Sequence, residues 1–395
     1  MKRSSAPSSL YARPLLLLGV LLIAANLRAP ITGVAPLLDM IRDGLSLSAA
    51  EAGGLTALPL LAFAVASPFC VLLAREYGLE RCLFAALLLI AGGVGLRAAG
   101  STPALFGGSL AIGLGIAVAN VLLPSLLKRD CPDRIAGLTS AYALTAGAAA
   151  ALASAFAVPI ATLPGSSWNW ALLAFLPVTL TALAVWAPQL RASTPPTADV
   201  PTPPHGDSVW RAPLAWQVTA FFGLNSLVYY VVVAWLPAIL AEAGYSAAAA
   251  GSLHGVSQLA TAVPGLFLGL LVARMKDQRL IAALTPLATV AAMLGLIVAP
   301  GLAVVWAALF GFGTGATFIL ALAFVSLRAS SAGQAAALSG MAQSVGYVVA
   351  SVAPSLVGVL HETTGGWRLP LLLCAAVGLL MAGFGFRAGR AVQIG

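Results

Sequence analysis

Apolar runs of about twenty residues, the length that crosses a bilayer as helix, recur from Pro14 to Phe386. A chain built this way folds only where lipid covers it. Composition agrees. Sixty per cent of the residues are hydrophobic and 8% are charged, whereas soluble domains carry roughly a quarter charged residues. The short alternating segments of a membrane β-barrel would not give continuous apolar runs. The expected fold is an all-α integral membrane bundle. Twelve spans are predicted, at 14–38, 51–74, 82–99, 103–127, 135–160, 168–187, 214–240, 247–273, 280–299, 302–327, 334–360 and 367–386.

An even number of spans puts both termini on one side, and basic residues mark the cytoplasmic side. On the terminal side lie Lys2, Arg3, Arg13, Arg75, Arg81, Lys128, Arg129, Arg134, Arg191, Arg211, Arg274, Lys276, Arg279, Arg328, Arg387 and Arg390, which is 16 of 20. Arg42, Arg97 and Arg368 fall opposite, and Arg28 falls within a span. Both termini are therefore expected in the cytoplasm, in a multi-pass membrane protein. The +8 net charge reflects this sorting, and no nucleic-acid partner is expected. Cys70, Cys82, Cys131 and Cys374 have no paired spacing, so they read as small apolar residues and not as a disulfide or zinc framework. Trp168, Trp170, Trp186 and Trp367 stand at span ends, as interfacial anchors do.

Residues 188–213 hold seven prolines in 26 residues and are expected to form a flexible cytoplasmic linker. They divide the chain into bundles at 1–187 and 214–395. The halves repeat. "LSAAEAGGLTALPLL" (47–61) lies over "YSAAAAGSLHGVSQL" (245–259), "AGLTSAYALTAG" (136–147) over "AALSGMAQSVGY" (336–347), and Pro36 over Pro237, all at an offset near 200. Two six-helix halves with their ends on one side are parallel repeats, a transporter architecture.

Arg28 lies 14 residues into the first span. An arginine at mid-membrane costs about 2.5–3.5 kcal/mol on insertion scales, so it faces the bundle interior or a water-filled cavity. No Asp or Glu lies deep in any predicted span. Asp39 is 11 residues on, about 16 Å along a helix. The guanidinium fork therefore suits a ligand that accepts hydrogen bonds, above all an anion. A carbonyl-bound structural arginine is the plainer reading.

Pro30 deprives the carbonyl of Asn26 of its helical partner, and Pro124 does the same for Asn120. Both helices are expected to be interrupted beside a cavity. Tyr229 falls opposite Arg28 in the repeat. Asn225 and Tyr230 share its span, while Gln258, Gln343 and Tyr347 are near mid-depth. Arg28, Asn26, Asn120, Asn225, Tyr229, Gln258, Gln343 and Tyr347 form the candidate substrate site. His254 is a candidate proton carrier, with a packing histidine as the alternative. Small residues in "AGAAAALASA" (146–155) and "GFGTGA" (311–316) allow helices to approach closely.

The arrangement resembles the major facilitator superfamily across essentially the whole chain. "NLRAPITGVAPLL", "VLLPSLLKRDCPDRIAGLTSAY" and "AALSGMAQSVGY…LHETTGGW" look like the cyanate and 2-nitroimidazole porter family. The resemblance implies a central cavity lined by spans one, four, seven and ten, between two rocking halves. In "LLAREYGLER" (72–81), Gly78 is kept and Arg75 stands where an acidic residue is common. In "LLVARMKDQR" (270–279), Ala273 replaces a frequent aspartate. The gating ion pairs of that motif would then fall to Asp130, Asp133 or Asp277.

The expected function is secondary transport of a small anion such as cyanate, by alternating access, with Arg28 as its counter-charge and a co-transported proton as a candidate partner. Efflux of 2-nitroimidazole-like compounds is the alternative. No GxxxxGK[ST] loop supplies a nucleotide site. No nucleophile–base pair or metal cluster supports an enzyme, and no cofactor is expected. A monomer is expected.

Overall fold

The computed structural model describes residues 12–131, 135–192 and 207–394. Within them the chain is helical throughout, and twelve helices or helix groups are long and apolar enough to span a membrane. All twelve correspond to predicted runs. Two six-helix halves form the bundle. The predicted linker is partly helical at its ends, at Ala187–Ala192 and Asp207–Arg211. Residues 193–206 lie outside the described ones.

The repeat recurs as structure. Ser48 caps the second span's helix, Ala49–Tyr77, in a reciprocal capping box with Glu51. Ser246, at the equivalent position, caps the eighth span's helix, Ala247–Ala260, and accepts from the Ala249 amide. A side-chain oxygen at this position satisfies one of the amides that a helix start leaves unpaired. The loops after the second and eighth spans are tied to the ends of the fourth and tenth. Arg129 bonds Glu80 at 2.6 Å, and Arg328 bonds the Gln278 side chain together with the carbonyls of Ala388 and Gly389. Hydrogen bonds with Asp130, then with Glu80, hold the Arg129 guanidinium above its ordinary range. Gly78, at φ +86°, makes the turn between the second and third spans, a backbone conformation that side chains disfavour.

The acidic partner in this motif is thus Glu80. Asp130 pairs with its neighbour Arg129 at 2.6 Å, and Asp277 with Arg279 at 3.2 Å. Each is paired with a near neighbour in sequence. Asp133 lies outside the described residues. Because the second half uses a glutamine where the first uses Glu80, Glu80→Gln is expected to leave thermal stability nearly unchanged. Arg129→Ala takes the cation from a carboxylate that is only 5% exposed. It is expected to lower the unfolding midpoint clearly, by less than the about 3–5 kcal/mol of a fully buried pair. A thermal-shift comparison of the two variants checks the asymmetry.

The halves meet on the side away from the termini. Arg42 pairs with Glu362 at 2.7 Å, Glu362 also accepts from the Ala49 amide, and Ser355 donates to the Ala50 carbonyl. Across the other seam, Ser154 donates to the Gly251 carbonyl at 3.0 Å. A Cβ at Gly53 would lie 2.5 Å from the Ser355 backbone, and one at Gly251 would lie 2.8 Å from the Ser154 carbonyl. These glycines occupy equivalent repeat positions, one in each seam. The 146–155 stretch lines the second seam, with the Ala151 carbonyl 2.7 Å from a Cβ at Gly255. The 311–316 stretch instead packs the tenth span onto the eighth. A Cβ at Gly311 would meet the Ser257 carbonyl.

The tryptophans divide. Trp170 is exposed, as an anchor is. Trp186 is fully buried and donates to the Glu80 carbonyl at 3.0 Å, while Trp367 stacks on His361. Their indoles found partners inside the protein.

Candidate functional site at the break in the first span

The first span is not one helix. It runs as Ala12–Asn26, Ala29–Thr32, a 3-10 turn Ala35–Leu37, and Leu38–Leu45. Pro30 and Pro36 remove the donors that would join these pieces. Arg28 sits at the first break with φ −127° and ψ −40°, and its carbonyl accepts from the amides of Ile31 and Thr32. The fourth span differs from expectation: Thr102–Asp130 is continuous through Pro124. One missing amide bends or weakens a helix without breaking it when the neighbouring turns hold.

The Arg28 side chain is half-buried. Its Nη1 donates to Thr261 Oγ1 of the eighth span at 2.7 Å, and its guanidinium lies 5.8 Å from the centre of the Tyr229 ring. The ionisable groups around it are the tyrosines 229, 230, 142 and 347, with no carboxylate among them. One fixed hydroxyl and an aromatic face leave the rest of the fork unused among the described residues.

Tyr229 anchors the wall opposite. Its hydroxyl donates to Gln258 Oε1 at 2.8 Å. Its ring lies parallel to that of Phe310 and meets Tyr230 edge-on at 5.0 Å. Gln258 is fully buried, with Nε2 3.3 Å from His254 Nε2. His254, also fully buried, places Nδ1 2.6 Å from Ser154 Oγ of the fifth span. Thr261 donates to the Gln258 carbonyl at 2.7 Å. Arg28, Tyr229, Gln258 and His254 therefore form one connected group.

The other candidates are not hydrogen-bonded into this group. The Asn26 amide donates to the Leu22 carbonyl and accepts from Thr179 at 2.5 Å, so it ties the first span to the sixth and is used up. Asn120 is exposed, with Pro124 exposed one turn on. This face of the fourth span is open, and no bond joins Asn120 to Arg28. Asn225 is buried one turn from Tyr229, with Oδ1 lacking a partner. Tyr347 is half-buried between the rings of Phe63 and Phe222. Gln343, one turn away on the same face, donates to Ser339 at 2.8 Å.

Sequence reasoning missed Arg97 and misplaced its side chain on the far surface. Arg97 ends the third span's helix, Leu79–Arg97, yet it is 2% exposed. Its Nη1 donates to the Pro30 carbonyl at 2.7 Å, which steadies the break two residues from Arg28. Arginines at span ends usually reach outward to water, and only the unpaired carbonyl created by the broken helix draws this one in. Thr261 and Tyr142 were missed as well, because a threonine or tyrosine in an apolar run gives no signal of its own.

The metal-binding residues form no cluster among the described ones. The chain matches the Major Facilitator Superfamily over residues 16–351. It is 54% identical over 382 residues to the 2-nitroimidazole transporter of Escherichia coli (strain K12), covering 97% of each chain. Identity to the cyanate transport protein CynX of the same organism is 30% over 386 residues, covering 96% of this chain and 99% of that one. The crystal structure of a D-xylose–proton symporter superposes with a TM-score of 0.76 over 95% of this chain and 97% of the other, at 14% identity. Fold and sequence agree that this multi-pass membrane protein is a transporter, not an enzyme, and that it belongs to the major facilitator superfamily, among the 2-nitroimidazole and cyanate transporters.

Proposed function

We propose that the protein moves a small, planar compound rich in hydrogen-bond acceptors, a 2-nitroimidazole or close analogue, across a bacterial inner membrane by alternating access. The observation that carries this reading is Arg28: a mid-membrane guanidinium with one hydroxyl partner and a tyrosine face beside it. Nitro oxygens or an azole nitrogen would complete the fork, and Tyr229, Tyr230 and Tyr347 would flank a flat ring. The aromatic lining and the 54% identity to a 2-nitroimidazole transporter favour the heterocycle over cyanate, the ligand suggested first by the charge of Arg28 together with the family resemblance. Cyanate is the second reading, favoured by the absence of a carboxylate around Arg28 among the described residues.

In this reading the protein is a monomer, with residues 1–187 and 214–395 rocking about the central site and 188–213 joining them. The basic residues put the termini in the cytoplasm. The seam held by Arg42–Glu362 and Ser154–Gly251 then faces outward, and the conformation is closed on that side. A proton is the coupling ion proposed.

Proteoliposomes reconstituted with the purified protein test the substrate. Labelled 2-nitroimidazole is expected to cross faster than in protein-free vesicles, with the rate changing when a pH gradient is imposed. Unlabelled cyanate is expected to compete weakly. Cyanate flux without nitroimidazole flux would reverse the two readings, and flux of neither would end both.

A further inference from the structure

The Ser154–His254–Gln258–Tyr229 chain has a direction. Ser154 donates its hydroxyl hydrogen to the Gly251 carbonyl. With that hydrogen on the Gly251 carbonyl, the 2.6 Å contact with His254 Nδ1 is made by a hydrogen on Nδ1, the tautomer on which the relay rests. Neutral His254 then has a bare Nε2, which accepts from the Gln258 amide NH2 at 3.3 Å. The amide oxygen, turned the other way, accepts from the Tyr229 hydroxyl. Every donor is matched, and the Tyr229 hydrogen points away from Arg28's ligand space.

Protonating His254 reverses this. The new hydrogen goes on Nε2, taken from water, and it faces the NH2 of Gln258, donor against donor. Turning the amide over resolves the conflict: Nε2–H donates to Oε1, and the NH2 donates to the Tyr229 oxygen. The Tyr229 hydroxyl is then free to donate into the space beside Arg28. The backbone need not move, because the Gln258 carbonyl is held by Thr261, which in turn holds Arg28.

We infer that Gln258 is a two-position amide switch that makes protonation of His254 supply a second hydrogen-bond donor, the Tyr229 hydroxyl, to an acceptor-rich ligand on Arg28. This rests on the ligand site proposed above and adds the means of proton coupling. The surroundings suit it. The fifth span faces His254 with Ser154, the seventh with Tyr229 through Gln258, the first with Arg28 through Thr261, and the tenth with Phe310 behind Tyr229. None of these is an acid, so no fixed charge stabilises the imidazolium, and an electron-rich ligand on Arg28 is what favours it. By linkage, proton and ligand then each strengthen the binding of the other by the same factor. His254 is sealed by the Ser154–Gly251 seam between the halves, so parting that seam gives the proton its entry.

The test uses the full-length protein in detergent, with potassium cyanate as the first probe because it stays ionised between pH 5.5 and 8.5, and 2-nitroimidazole as the second. Wild-type affinity is expected to rise at least about ten-fold toward the acid end. Gln258→Leu and Tyr229→Phe are expected to bind weakly with a flat pH profile, while Arg28→Ala binds at no pH. Wild-type binding that depends on Arg28 but not on pH would overturn the switch and leave the ligand site standing. A pH dependence that survives in Gln258→Leu would do the same. Nitrogen NMR of histidine-labelled protein, assigned with His254→Asn, decides the switch even if neither probe binds. Neutral His254 is expected with its hydrogen on Nδ1, and a hydrogen on Nε2 refutes the relay.

Discussion

Arg28→Ala is expected to abolish transport while leaving the folded protein as stable as the wild type, or slightly more so. The two halves of this expectation have different causes. A hydrogen bond to a charged donor contributes about 1.5–3 kcal/mol, and a fork engaging a ligand uses more than one. Binding should therefore fall by at least roughly a hundred-fold. The fold loses little, because the guanidinium makes one hydrogen bond, to Thr261, and its removal relieves the cost of holding a charge in the membrane. Arg28→Lys is expected to fold equally well and to transport poorly, since an ammonium cannot supply two parallel donors. Uptake in proteoliposomes and thermal unfolding on the same preparations check both. An Arg28→Ala protein that transports, or that unfolds many degrees earlier, would make Arg28 a structural residue.

Gly53→Val is expected to stop turnover by a different route, forbidding the closed side. Its Cβ would stand 2.5 Å from both the backbone nitrogen and the Cα of Ser355 and 2.7 Å from the Pro354 carbonyl carbon. Backbone cannot swing aside as a side chain can. The second and eleventh spans must separate. Overpacking of this kind costs about 1–3 kcal/mol or more, and it falls on one conformation only, so the ratio of the two states moves by roughly ten- to a hundred-fold. Gly54→Ala is the control, since its Cβ would meet only the Ser355 hydroxyl, at 3.7 Å. Spin-label distances across the Arg42–Glu362 side should lengthen in Gly53→Val and stay unchanged in Gly54→Ala. Unchanged distances and normal transport in Gly53→Val would mean that the seam yields elsewhere.

Much of the fold was legible because lipid imposes a single rule, the length of the apolar run. All twelve spans obeyed it. Arg28 was legible for the same reason, as a costly charge where no charge belongs. The rest of the site depended on which way side chains turn, and runs rich in alanine and leucine leave that open. Asn26 and Asn120 looked alike, each four residues before a proline. The first proved to be consumed by Thr179, and the second stands exposed on an unbroken helix. Arg97 read as a surface charge from its place in the chain, and only the carbonyl left free at Pro30 explains its inward turn. Gln258 and His254 were each visible as polar residues in an apolar run, but the link from Gln258 to Tyr229 required the eighth span to be set against the seventh.

Arg97 and Arg28 together leave the first span's break with two guanidinium groups and, among the described residues, no acid beside them. A positive potential in the middle of a passage opposes cations much as it attracts electron-rich cargo. Sodium and organic amines would thus meet an electrostatic barrier there. The carrier can then open wide to one compartment without becoming a leak in the membrane's ion gradients.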